Sequence, residues 1–267
     1  MGMEKYVLVT GANGGIGKAT VSKLIENNYK VISLDIKDDN LKGLKTHFIM
    51  CDVGKKEDVE GAYQKVKEIT NELYAIVNTV GIFMMESIIE GKEEDLRKIF
   101  DINFFGVYQV NKTMLPLLKS GCKIINLTSE VARYSPQPFQ AYYNLSKIAL
   151  DRYTDALRRE CNYLGIKVVK IQSGSMKTPL LKSANDEYDQ LVSDSEHFKQ
   201  PLTKFKYMMD RELKKTNDPI LIANLIVKIL GKKNPRLVYR KKNSAKLSLM
   251  GHLPEQWQDD IYKKVIK

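Results

Sequence analysis

Apolar positions along this chain follow two rhythms. Short, almost continuously apolar runs recur at Tyr6–Val9, Lys30–Asp35, His47–Val53, Tyr74–Asn78, Cys122–Leu127, Ile166–Ile171 and Arg236–Tyr239. Such runs predict strands buried on both faces, as in a parallel sheet. Between them, apolar residues return every three or four positions. Examples are Ile16, Ala19, Val21, Leu24 and Ile25 after the first run, and Val59, Ala62, Tyr63, Val66 and Ile69 within 56–71. Leu96, Ile99, Phe100, Ile102 and Phe104 do the same within a mostly helical stretch over 92–119. A long helix is expected from Ala141 to about Tyr163, and another after Asp218-Pro219 with Ile220, Ala223, Ile226, Val227 and Leu230 on its apolar face. Strands alternating with helices predict an α/β fold, a doubly wound parallel sheet of about seven strands with helices on both faces. No linker interrupts the pattern, so residues 1–267 read as one domain.

Two stretches break the rhythm. From about 179 to 217 the periodicity weakens, while Tyr188, Phe198, Phe205, Tyr207, Met208 and Met209 supply apolar surface. This is too long for a plain connection and reads as a substrate loop, or alternatively as a helical hairpin covering the surface. The tail, about 245–267, contains a short amphipathic helix around Leu253–Ile261.

The first strand runs into Thr10-Gly11-Ala12-Asn13-Gly14-Gly15-Ile16-Gly17 and then a helix. Glycines let the backbone turn sharply and approach a ligand closely, and the helix N-terminus attracts phosphate. Strand, glycine turn and helix in that order make a Rossmann-type nucleotide-binding unit. The second strand ends in Asp35, about as far along as a ribose-binding acid should lie. A carboxylate there accepts hydrogen bonds from a ribose diol and repels a 2′-phosphate, which argues for NAD over NADP. Lys37 is a counter-signal, and an ordinary turn acid is the plain alternative. Asp52 reads equally as an adenine contact or a helix-start residue. Asn78-Thr79-Val80-Gly81 follows the fourth strand at the sheet edge where ligands bind. Asn103 sits mid-helix, where an amide that competes with the backbone is unexpected. Thr128 and Ser129 end the fifth strand, and Tyr143 and Lys147, four apart, share one face of the helix that follows.

Charge and cysteines narrow the setting. The chain has 43 basic and 32 acidic residues, a formal charge of +11, with the excess densest from Lys228 to Lys246. Without interleaved aromatics this reads as a solvated basic face rather than a nucleic-acid site. Three widely spaced cysteines, Cys51, Cys122 and Cys161, suit reduced thiols, and no metal site is expected. No apolar run is long enough to span a membrane, and the first strand begins almost at Met1, so a cytoplasmic protein is expected.

Together these residues resemble the short-chain dehydrogenase/reductase family, in its compact single-domain branch. The signatures are TGANGGIG at 10–17, Asp35, NTVG at 78–81, Asn103, Ser129, YNLSK at 143–147 and SGSMKT at 173–178, in family order. The tail is more loosely similar to hydroxysteroid and retinol dehydrogenase-like members. Two turns depart from the family: NTVG stands where NNAG is usual, and Ser173-Gly174 where Pro-Gly is usual. The spacing also leaves Thr128 as an alternative hydroxyl and Tyr142 as an alternative phenol, with the i,i+4 relation to Lys147 favouring Tyr143.

The resemblance implies hydride transfer between a secondary alcohol and a ketone with NAD, catalysed by Asn103, Ser129, Tyr143 and Lys147. The implied cofactor residues are Gly11, Asn13, Gly15, Ile16, Gly17, Asp35, Asp52, Val53, Asn78, Gly81, Tyr143, Lys147 and Thr178. Asn103 is implied to hold a water beside Lys147. Met84, Ser129, Phe139, Tyr143 and Met176 are expected at the substrate, with Ile82, Phe83, Tyr134, Met208 and Met209 as further lining residues. That set suits a bulky apolar alcohol or ketone such as a steroid or retinoid. A homodimer or homotetramer through the 92–119 and 143–163 helices is also implied. The rivals are an NAD-binding regulator with little turnover, a sugar-nucleotide epimerase or dehydratase, and a nucleic-acid binder.

Overall fold

The computed structural model describes residues 4–178, 188–213 and 216–266. Seven strands, β1 (Tyr6–Thr10), β2 (Lys30–Asp35), β3 (Thr46–Met50), β4 (Ala75–Asn78), β5 (Lys123–Ser129), β6 (Lys167–Ser173) and β7 (Val238–Lys241), form one sheet. Their order is β3-β2-β1-β4-β5-β6-β7 and every pairing is parallel. The direction of winding reverses between β1 and β4, so a crevice opens beyond their carboxyl ends, where ligands bind in such sheets.

Alternation along the strands feeds two cores. Leu8 and Ile76 point to one face, with α2 (Lys56–Ile69), α4 (Val107–Met114) and Leu157 of α5 (Ala141–Cys161). Val7, Val9 and Val77 point to the other, against α1 (Gly15–Glu26) and α8 (Ile220–Leu230). Both faces are dry, which explains why these strands read as continuous apolar runs.

Several boundaries move from those expected. The third strand stops at Met50 because Asp52 turns the chain: its side chain accepts the Gly54 N–H at 3.0 Å, and its own N–H goes to Asp58 at 3.0 Å. The last strand lies two residues later, where it pairs in register with Lys170–Ser173. The 92–119 stretch is not one uniform helix. It comprises α3 (Glu93–Phe100), a π-helical segment Asp101–Gly106, α4 and a single 3₁₀ turn Leu115–Leu117. Asn103 lies inside the π segment, so its awkward place in an α-helix is resolved by local widening, a feature found at functional sites.

Of the 179–217 stretch, 179–187 and 214–215 lie outside the described residues. The rest is helical, α6 over 188–194 and α7 (Lys199–Leu213). Tyr188, Leu202 and Phe205 make a small core there with Ile266 of α10 (Glu255–Ile266), the tail helix that follows α9 (Ala245–Met250). The helical-hairpin alternative therefore describes these residues better than an irregular loop.

Candidate active site

The glycine turn after β1 is built for a close approach. Gly11 is in the left-handed region, with φ 64°, and a Cβ there would stand 2.6 Å from the Val80 Cα in the turn after β4. Gly15 faces Thr178, whose methyl would be 2.8 Å from an added Cβ, and Gly17 packs on the Gly11 carbonyl. Gly14 has ordinary space and geometry, so it is the dispensable glycine of the four. No side chain caps α1, and its first turn carries no acid, whereas α2 and α3 begin with Glu57-Asp58 and Glu93-Glu94-Asp95. Unpaired N–H groups with no carboxylate beside them are what a pyrophosphate requires. The residues present therefore fit a dinucleotide.

Asp35 ends β2 next to this turn. Its carboxylate accepts the Asn13 N–H at 2.9 Å and the Ile36 N–H at 2.8 Å. Two accepted bonds leave lone pairs for a diol. The Asn13 side chain is used within the protein, accepting the Asn40 N–H at 2.7 Å. Asp52 serves its turn, as described above. Val53 packs on Gly106 of the π segment. The buried Asn78 accepts from Thr10 at 3.1 Å and donates to Asn111 at 2.8 Å and Asn126 at 2.9 Å. That side chain fastens β1, β4, β5 and α4 together beneath the crevice, and only Thr79 and Gly81 of its turn reach the cavity.

The cavity has a volume of about 540 Å³, within the range of small-molecule sites. Ser129, Tyr143 and Lys147 meet on one side, with Ile16, Gly81 and Thr178 beside them. Ser129 is placed by the end of β5 and hydrogen-bonds the Tyr143 phenol. Phe83 packs edge-on against the Tyr143 ring, with centroids 4.8 Å apart. The Lys147 ammonium lies 5.9 Å from the centre of that ring. Gly81 makes room for it, since a Cβ there would be 2.9 Å from Nζ and 3.2 Å from the Asn103 Oδ1. Asn103 clasps the Ile82 backbone in both directions, accepting its N–H at 2.7 Å and donating to its carbonyl at 2.9 Å, and it donates to Ser146 at 3.0 Å. It thus fixes the wall behind Lys147.

Burial dominates the electrostatics. It raises the Tyr143 pKa; the Ser129 hydrogen bond opposes this and the Glu130 carboxylate adds to it. Burial also pushes Lys147 down to about 8. Without a ligand the pair therefore favours neutral forms, and a cation near the phenol would draw Tyr143 back towards neutral pH.

On the substrate side, Met176, Met208 and Met209 line the cavity. Met84, Ile82 and Phe139 are not among its lining residues, and Tyr134 belongs to a separate small pocket. Phe139 has a left-handed backbone, φ 59°, and its ring packs on Phe198 and Phe205. The sequence reading missed Glu130, Lys242 and the tail residues Leu247, Met250 and Tyr262, which complete the wall. Their only signal was the tail's amphipathic pattern.

A phosphate cradle and a buried phenol opening on one cavity, at the reversal point of a parallel sheet, define a nicotinamide-dependent oxidoreductase. Comparison with known proteins makes this specific. The family profile described as short chain dehydrogenase matches residues 5–189, and the chain belongs to the short-chain dehydrogenase/reductase family. It is an NAD(P)-dependent oxidoreductase of CH–OH groups. It is 33% identical over 186 residues to the NADPH-dependent 1-acyldihydroxyacetone phosphate reductase of Schizosaccharomyces pombe, a match covering 67% of this chain and 62% of that protein. It is 29% identical to human retinol dehydrogenase 16, over 97% of this chain and 87% of that one. A short-chain dehydrogenase from Streptomyces avermitilis shares the fold, with TM-score 0.78, 22% identity and coverage of 99% and 98%. Among the described residues no helix is long and apolar enough to cross a membrane.

Proposed function

We propose that the protein interconverts a secondary alcohol and a ketone on a bulky, largely apolar substrate, using NAD in preference to NADP. The observation that carries the reading is the convergence of Ser129, Tyr143 and Lys147 on a methionine-rich cavity beside the glycine turn. The preference for NAD rests on Asp35, which offers a carboxylate where a 2′-phosphate would need a cation. The relatives' names point to varied substrates, a retinol and an acylated dihydroxyacetone phosphate among them, all with a substantial apolar part.

When bound, the nicotinamide supplies the hydride acceptor or donor. Gly11, Gly15, Gly17 and the amides of α1 hold its pyrophosphate, Thr178 its carboxamide and Lys147 its ribose. In oxidation Tyr143 takes the alcohol proton at its phenolic oxygen; in reduction it returns a proton to the carbonyl oxygen. Ser129 donates a hydrogen bond to that oxygen as charge develops. Lys147, when protonated, favours the phenolate. The Asn103 side chain is occupied by Ile82 and Ser146, so its part is to hold the wall behind Lys147, and any water link uses its backbone. We place the contact of a homodimer or homotetramer on the face where Phe105 and Tyr108 are exposed.

The test is a panel of hydroxysteroids, retinoids and long-chain ketones assayed with both coenzymes, with Tyr143→Phe as control. Turnover should fall by orders of magnitude in the variant while NADH fluorescence still reports binding. Wild-type-like turnover by Tyr143→Phe would end the assignment.

A further inference from the structure

The cavity carries charge that hydride transfer does not use. Lys242 and Lys246 both line it, next to Leu247 and Met250. They lie between the end of β7 and the first turn of α9. Asp35, at the adenosine end of the cradle, is not among the lining residues, so these lysines face the reacting end. Glu130 is the acid on the described wall; it is buried, it accepts the Ser244 N–H, and burial pushes its carboxyl up towards the neutral form. The wall is therefore net positive where the rest is apolar.

The second observation is backbone strain. Lys242 is left-handed, with φ 59°, a conformation that L-residues other than Asn and Asp rarely adopt. A glycine would relieve it. The chain instead holds a lysine there, fixed by contact with the turn after β6. The Gly174 N–H donates to the Lys241 carbonyl at 2.9 Å, and a Cβ on Gly174 would stand 1.9 Å from the Lys242 oxygen. Strain held at a cavity wall, with a charged side chain on it, is a mark of function.

We propose that the substrate is amphipathic, with an anionic group (a carboxylate or a phosphate) held by Lys242 and Lys246 while its apolar body lies on the methionines and its reacting oxygen reaches Tyr143. This rests on the oxidoreductase reading above and narrows its substrate class.

The experiment uses one medium-chain methyl ketone in three forms, its far end a carboxylate, a phosphate monoester or a primary amide. With NADH, the two acids should show kcat/KM about tenfold or more above the amide, and higher salt should erode that ratio. The acid that leads identifies the anion. In Lys242→Ala/Lys246→Ala the ratio should collapse towards one. Lys242→Gly should lower the ratio yet unfold at a temperature no lower than wild type, because it removes charge and strain together. An equal or reversed ratio in wild type, or a ratio unmoved in the double variant, overturns the proposal. So does a parallel loss of NADH affinity, which would assign the lysines to the cofactor. Calorimetric titration of the NADH-loaded protein reads the same preference without turnover. Preferential binding of the acids with no turnover would refute the oxidoreductase reading and uphold the anion site; no preference would refute the anion site.

Discussion

Replacing Lys147 with methionine should make the protein more stable and inactive at once. The side chain is 5% exposed, and burial holds its pKa at about 8 against an ordinary 10.5. That fall corresponds to about 3 kcal/mol of folded-state penalty on the ammonium form. Methionine keeps the length and volume and removes the charge, so the penalty disappears. For a chain of this size the gain amounts to roughly 5 °C in Tm.

The pH dependence gives the effect a signature. Below about 8 both folded and unfolded chains carry the lysine proton, and the penalty is fully present. Between about 8 and 10.5 the folded chain has lost the proton while the unfolded chain keeps it, so wild-type stability climbs relative to the variant. Above that window the two should unfold alike. The assay is urea and thermal unfolding of the cofactor-free proteins from neutral to strongly alkaline pH, read by circular dichroism. A Lys147→Met protein no more stable than wild type at neutral pH, or a gap that does not close with rising pH, would refute the argument. Confirmation would make Lys147 a group retained for chemistry against the interest of stability.

Other perturbations test the remaining parts. Gly81→Ala should cut kcat at least tenfold and cost about 1–3 kcal/mol in unfolding experiments, because its Cβ would sit 2.9 Å from the Lys147 Nζ. Asp35→Arg should raise the NADPH-to-NADH ratio of kcat/KM by tenfold or more; an unchanged ratio would remove Asp35 as the coenzyme determinant. Asp151→Asn should destabilise by about 3 kcal/mol in urea, since the buried Asp151 pairs with Lys170 at 2.6 Å and accepts from Thr128 at 3.1 Å and Gln172 at 2.9 Å.

How far the sequence could be read depends on how local each feature is. The glycine turn, Asp35 at the end of β2 and the Tyr143/Lys147 pair are each set by one turn, strand end or helix face, so spacing alone exposes them. The sheet was legible for the same reason: strands buried on both faces have no polar side to confuse the pattern. Features that join distant segments left no such trace. Asn78 meets partners 68, 33 and 48 residues away. Each looks like an ordinary turn or helix asparagine until the strands are in register. Phe139 misled because position after β5 suggested the substrate, whereas its left-handed backbone sends the ring into the α6–α7 core. Asn103 shows the intermediate case. Its poor helix propensity flagged an anomaly at the right residue, and the explanation, a π-helical widening that lets the amide clasp Ile82, needed the backbone. The same division separates chemistry from specificity here. Proton transfer needs a phenol and an ammonium one helical turn apart, which a sequence can state. Substrate choice is made where the exit turn of β6, α7 and the tail converge on one cavity, and only folding brings Met176, Met208, Lys242 and Tyr262 to the same wall.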